Sequence, residues 1–208
     1  ISVGSAIFTS TGILDTRQED ILSTRLLEVV GESSVATRRI VTSTTTQRID
    51  PLAQSFTINE STGVFITKVS LFFKQKSSNH PVWIQLRPMV NGYPASDIIV
   101  PGSQKLLTSP QVSVSEDASV ATEFIFDEPI YLKGYTDYCV VCLTDNTDYL
   151  LYTSKVGDFV LGSTEQKINR QPFMGSLFKS QNSVTWEAAQ WQDMKFKLHR
   201  AKFTPTAG

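Results

Sequence analysis

From about residue 50 onward, apolar residues recur at every second position, and this alternation constrains the fold more than any other feature. Phe65, Val69, Leu71 and Phe73 share one phase, with Lys68, Ser70 and Lys74 on the other. Val82, Ile84 and Leu86 alternate with Trp83, Gln85 and Arg87, and Met194, Phe196 and Leu198 with Lys195, Lys197 and His199. Successive side chains of an extended chain point to opposite faces, so period two specifies strands with one face in a core. Further strands are expected at residues 54–58, around Phe124 and Phe126, at 129–133 and at 149–154. Residues 138–144 are apolar on both phases, as in a central strand. Turn signals punctuate these runs at residues 59–63, 76–81 and 145–148. Asn91-Gly92 is the pair that best tolerates the positive φ angles of a tight hairpin. Residues 95–118 read as a long loop and 157–193 as irregular chain.

Eight or so short strands with no helical periodicity after residue 50 predict an all-β antiparallel sandwich over residues 50–203. First and last strands that both carry core residues point to a jelly-roll-like layout. Val69, Leu71, Phe73, Ile84, Leu86, Phe124, Phe126, Val140, Phe196 and Leu198 are expected in one core.

Residues 1–49 have another texture. They are rich in Ser and Thr and hold too few large apolar groups for a core of their own. A short helix over 15–31 is one reading, since Thr16 and Glu19 have capping-box spacing and Gly31 would end it. Val29-Val30 and Ile40-Val41 favour extended chain instead. The tract at residues 42–47 carries no core signal. Ordering each residue costs roughly 1–2 kcal/mol of backbone entropy, so contacts outside the arm must supply it. The arm is therefore expected to be largely extended, wrapping the sandwich or reaching another chain. Arg38, Arg39, Thr44, Thr45 and Thr46 are its candidate assembly contacts. Residues 204–208 form a short tail. The opening Ile1 leads us to expect a piece of a longer polypeptide.

Composition excludes some functions. Lys and Arg number 19 against 20 Asp and Glu, for a net charge of −1. That lacks the basic excess of a nucleic-acid binder. No apolar run approaches the roughly 20 residues of a membrane helix, and no basic-then-apolar leader opens the chain. Neither nucleic acid nor membrane is an expected partner.

Sites for chemistry are sparse. Cys139 and Cys142 have C-x-x-C spacing, but no second ligand pair accompanies them. Within a strand, residues three apart face opposite ways, so the pair reads as two apolar fillers and not as a metal or redox site. His199 falls on the polar phase of the last strand and is expected in solvent, and His80 sits in a turn. The carboxylate pairs Asp127-Glu128 and Asp145-Asp148 also lie in turns, where Asp usually serves the backbone. Asp145, Asn146 and Asp148 offer oxygen ligands for Ca²⁺ but lack EF-hand spacing. No phosphate loop or nucleophile elbow is present. No catalytic residue, metal or cofactor is therefore assigned. The remaining candidates are Trp83, Tyr93, Trp186 and Trp191, as sugar-stacking platforms or as interface and core-rim anchors.

Three stretches carry a resemblance: DPLAQSF at 50–56, VWIQLRPMVNGYP at 82–94 and GSLFKSQNSVTWEAAQWQDMKFKLHRAKF at 175–203. In that order they resemble a domain of large virion structural proteins from T4-like contractile-tailed bacteriophages, including cyanophages. The frame QSF, VSLFF and FIFDEPIYLKGYTDYCVV is similar to a wider class of β-sandwich modules on secreted and surface proteins. The resemblance spans residues 50–203 and implies a non-catalytic tail or baseplate role. It also implies partners among other virion proteins or copies of the same chain, in a virion assembled from proteins made in the host cytoplasm. It supplies no active-site positions. The rival readings are a carbohydrate-binding module for host surface glycans, using the four aromatic residues, and a glycan depolymerase, which would need a carboxylate pair across a cleft.

Overall fold

Extended chain dominates the computed structural model, which describes residues 51–171 and 175–203 with the backbone of Leu14–Asp15 and Glu28–Val29. Those two short arm segments are β1 (Leu14–Asp15) and β2 (Glu28–Val29). Next come β3 (Leu52–Ile58), β4 (Val64–Leu71), β5 (Phe73–Gln75), β6 (Val82–Val90), β7 (Tyr93–Pro94) and β8 (Lys105–Leu107). The chain continues with β9 (Thr122–Leu132), β10 (Thr136–Thr144), β11 (Leu150–Lys155), β12 (Leu177–Ser180) and β13 (Trp186–Ala189). It closes with β14 (Gln192–Met194), β15 (Phe196–Arg200) and β16 (Lys202–Phe203). Among the described residues the helical content is one 3-10 turn, Ser109–Gln111.

The strands form an antiparallel sandwich. One layer is a large sheet in the order β13-β12-β3-β10-β6-β7, with β8 also on β6. Opposite it lie β15-β4-β9 and a sheet in which β11 pairs β14, β2 and β5. The main core fills the space between, from Phe56 and Ile58, Val69 and Leu71, Ile84 and Leu86, Phe124 and Phe126, and Val140. The short strands β1 and β16 pair with each other, whereas β3 and β15, the first and last core-bearing strands of residues 50–203, lie in different sheets. Asn91 and Gly92 take φ of 52° and 81° and turn β6 into β7, the geometry that Asn-Gly was expected to supply.

Strand β10 sits between β3 and β6 and is buried on both faces, which explains its double apolar phase. Behind the main core, on the far face of the large sheet, a second cluster holds Ala53, Cys139, Val141, Leu143, Phe178 and Trp186. The hairpin β6–β7 folds back over this face, with the Tyr93 ring edge-on to Phe178 at 6.0 Å.

Several expectations need correction. Phe65 leaves the core phase and is 39% exposed while Ile66 is buried. A bulge is the cause, because Ile66 pairs with Ile130 whereas Lys68 pairs with Ile125, and an irregular residue count flips the phase beyond it. Phe126 to Pro129 are the bulged stretch of β9, opposite Thr67, so Pro129 costs no ladder bond, and Asp127 and Glu128, expected in a turn, lie within this strand. Phe196 and Leu198 keep their phase but only border the core, because β15 lies at the edge of its sheet. Residues 157–193, read as irregular, contain β12 and β13, and β14 runs across their end. β12 and β13 pair as a local hairpin, but β12 is joined to β3 and β14 to β11, far away in sequence, so the local pattern gave little sign of them. Finally, Asp15 and Glu28–Val29 are extended and not helical. The remainder of the proposed helix at 15–31 lies outside the described residues.

Candidate functional site

Of the four aromatic candidates, three converge on the far face of the large sheet. Trp186 belongs to the second cluster and is 7% exposed, and Trp83 packs against that cluster half-buried. Tyr93 lies on Phe178 with half its surface in solvent. Trp191 stands apart, 68% exposed, in the turn between β13 and β14. The structure thus gathers Trp83, Trp186 and Tyr93 by packing and leaves Trp191 as a lone solvent-facing ring.

Arg87 fastens the cover over this face. It projects from β6 and is buried, with Nε and Nη2 donating to Gln85 Oε1 at 3.0 and 2.8 Å. Its Nη1 donates to the carbonyls of Ala95, Ser96 and Ser183. Gln85 Nε2 in turn donates to Gln104 Oε1 at 2.8 Å. One guanidinium therefore holds the chain after β7 and the turn before β13 against the sheet, because its five donors lie in a rigid fork. The alternation flagged Arg87 only as a polar-phase residue and gave no hint that it would be enclosed.

The other chemistry-bearing residues are engaged structurally. Cys139 lies in the second cluster and Cys142 in the main core, on opposite sides of β10, as strand spacing requires. Burial pushes both thiols up to about 12; for Cys139 the nearby Arg87 charge and a hydrogen bond with the Arg87 backbone pull the other way. Asp127 pairs with Lys105 at 2.5 Å. In the 145–148 turn, Asn146 Oδ1 accepts the Asp148 backbone N–H, the usual service of a turn Asx residue. Among the described residues, no group of three or more His, Cys, Asp or Glu is placed to hold a metal ion. His80 Nδ1 lies 3.2 Å from Ser77 Oγ and 3.1 Å from Asn146 Nδ2.

His199 corrects an expectation. It keeps the polar phase of β15 yet is buried, with Nε2 2.9 Å from Ser70 Oγ. Ser70 is small and buried on the neighbouring strand, so the imidazole finds its polar partner inside the sheet. Arg38, Arg39, Thr44, Thr45 and Thr46 lie outside the described residues.

One feature was not anticipated from the sequence. Gln54 occupies an apolar-phase position of β3 and is fully buried. Its Nε2 donates to Asp193 Oδ1 at 3.0 Å and its Oε1 accepts the Met194 N–H at 2.7 Å, which ties β3 to β14 across the layers. A polar residue at a core phase was the available signal.

No family model and no curated protein matches the sequence. Among solved structures, the chain is similar to the cysteine protease and lectin-like domains of Cwp84, a surface layer associated protein of Clostridium difficile. The match has a TM-score of 0.51 at 14% identity and covers 73% of this chain. It spans about a third (32%) of the Cwp84 chain, and at that identity it shows a shared fold alone.

Proposed function

We propose that this chain is a non-catalytic assembly module of a contractile phage tail or baseplate. One observation carries the reading: two separate segments of the arm pair with strands of the domain that follows, β1 making a two-stranded ribbon with β16 and β2 joining the sheet of β11. Strand β1 pairs with β16, and β2 pairs with Tyr152 and Thr153 of β11, beside the point where β5 stops pairing. Strand addition draws its strength from main-chain hydrogen bonds and tolerates varied sequence. That suits an arm rich in Ser and Thr whose task is to join folded bodies. The sequence resemblance over residues 50–203 supports the same role. Its partners are other virion proteins or further copies of the chain.

The test is incorporation into tail particles by the full chain and by a Leu14→Pro/Glu28→Pro variant. Proline removes the N–H donor that a ladder needs. The proposal expects the full chain in purified tails and a severalfold loss for the variant, with unchanged β-sheet circular dichroism. Equal incorporation of both would refute the arm's role. Absence of the full chain from tails would refute the assembly role.

A second reading, carbohydrate binding, draws on the exposed Trp191 ring and on the fold shared with a structure that includes a lectin-like domain. Against it, Trp83 and Trp186 are taken up by packing. Glycan binding abolished by Trp191→Ala would favour this second reading.

A further inference from the structure

Strand β9 is the longest described strand, 11 residues from Thr122 to Leu132, and it stands at the end of its sheet. Among the described residues its ladder runs to β4 alone. Its outward row of N–H and C=O groups is thus a template on which another chain can pair, and apolar side chains beside such a row favour that pairing. Ile125 and Tyr131, 55% and 49% exposed, stand on the solvent face of β9, with the partly exposed Phe65 opposite Tyr131. Length, an open side and apolar neighbours together make β9 the strand from which uncontrolled self-pairing is most to be expected.

The middle of the same edge is built differently. Phe126 to Pro129 bulge out opposite the single residue Thr67. Asp127, Glu128 and Pro129 are consecutive and all exposed. Pro129 has no N–H to offer a neighbouring strand. Lys105 of β8 meets Asp127 Oδ1 at 2.5 Å and tethers the bulge, while the ladder of β8 itself runs to β6. Two copies pairing antiparallel along the whole of β9 would be centred on Asp127, the midpoint of Thr122–Leu132. Each Asp127 then faces its counterpart, with a Glu128 from each copy beside the pair. Like charges set directly opposite each other destabilise a strand pair. The bulge leaves Thr122 to Ile125 as the regular ladder on its N-terminal side. So short a run returns too little to offset the freedom that two molecules lose on associating.

We propose that the Asp127-Glu128-Pro129 bulge is a guard that closes the β9 edge to a second copy of this chain. It combines charge, proline and a broken register at the one point that a symmetric pairing must cross. Main-chain pairing with other molecules is thereby kept off the long edge of the sandwich. The assignment concerns any two copies in solution and does not depend on the tail reading.

Analytical ultracentrifugation of the full chain over a concentration series tests it. An Asp127→Thr/Glu128→Thr/Pro129→Val variant removes the guard, since its new residues favour extended strand and restore the missing N–H. All three positions are exposed, so the core is untouched, and circular dichroism checks that the sheet is retained. The proposal expects the variant to associate at a concentration at least about tenfold below that needed by the unaltered chain, because opposed charges are relieved and a main-chain donor is regained. Asp127→Thr/Glu128→Thr, which keeps Pro129, should move the same way by less, and serves if the triple variant folds poorly. Adding Ile125→Lys to either variant sets a new charge beside the edge at an exposed site and should restore the behaviour of the unaltered chain. No gain in association over the unaltered chain would overturn the proposal. So would a gain that Ile125→Lys leaves in place, because it would come from exposed core and not from the β9 edge.

Discussion

Replacing Gln54 by Leu tests whether the two layers are tied together by this one amide. Leu nearly matches Gln in volume, so the change removes polar contacts without opening a large cavity. The lost Nε2 bond to Asp193 Oδ1, at 3.0 Å, runs to a carboxylate, a class worth about 1.5–3 kcal/mol. The lost acceptor leaves the Met194 N–H, bonded at 2.7 Å to Gln54 Oε1, without that partner, and an unsatisfied buried donor costs about 1–3 kcal/mol. The extra apolar surface of Leu offsets roughly 1 kcal/mol of this. A net loss of about 1.5–5 kcal/mol follows. Urea denaturation followed by circular dichroism reads it as a lower midpoint at unchanged slope. Gln54→Glu keeps the shape but sets a second carboxylate against Asp193, so it should cost more than Leu and recover on acidification, when a shared proton restores a donor. A loss below about 1 kcal/mol for Leu, or a Glu variant no worse than Leu, would refute the idea that this bridge joins the layers.

Other outcomes follow from the packing. Phe124→Ala, at a fully buried site, should cost about 3–5 kcal/mol, and Phe196→Ala at the core border clearly less, as compared by the same denaturation. Arg87→Met should free the chain after β7 and the turn before β13; acrylamide quenching should then reach a second tryptophan besides Trp191, and unchanged quenching would contradict the clamp. The two thiols give a pH signature. Their folded values, pushed up to about 12 from 9.0, mean that the unfolded chain releases protons first as pH rises. Stability is thus full below pH 9 and falls toward 12, by about 1.4 kcal/mol per pH unit per thiol. A Cys139→Ala/Cys142→Ala variant should lack that slope between pH 9 and 10.5, and parallel pH profiles would refute the burial argument.

What the sequence made legible was what local periodicity encodes. Strands β4, β6, β9, β10 and β15 announce themselves because each contributes an apolar phase to one core. Asn91-Gly92 announces its hairpin because few residue pairs take its backbone angles. The failures share a cause in the other direction. Phe65 sits on the expected phase in the sequence, but the bulge depends on how β4 and β9 align, a property of two strands and not of one. Strands β12 and β14 are short and carry mixed residues, and long-range pairing with β3 and β11 makes them strands; β13 in turn pairs with β12.

The candidate site failed to declare itself for a related reason. Alternation separates the two faces of a strand but does not say whether the second face meets water. Trp83 and Arg87 share the polar phase of β6, which invites an exposed reading for both. The cover that encloses Arg87 and half-buries Trp83 comes from chain after β7 and before β13, about a hundred residues further along at its far end. An aromatic on a polar phase is therefore a platform or a second-core residue depending on contacts that no window of sequence contains. Trp191 differs because it lies in a tight turn between strands of two different sheets, where there is no adjoining sheet face to bury it. Position in a turn, more than residue type, is what separates an available ring from a packed one in this fold.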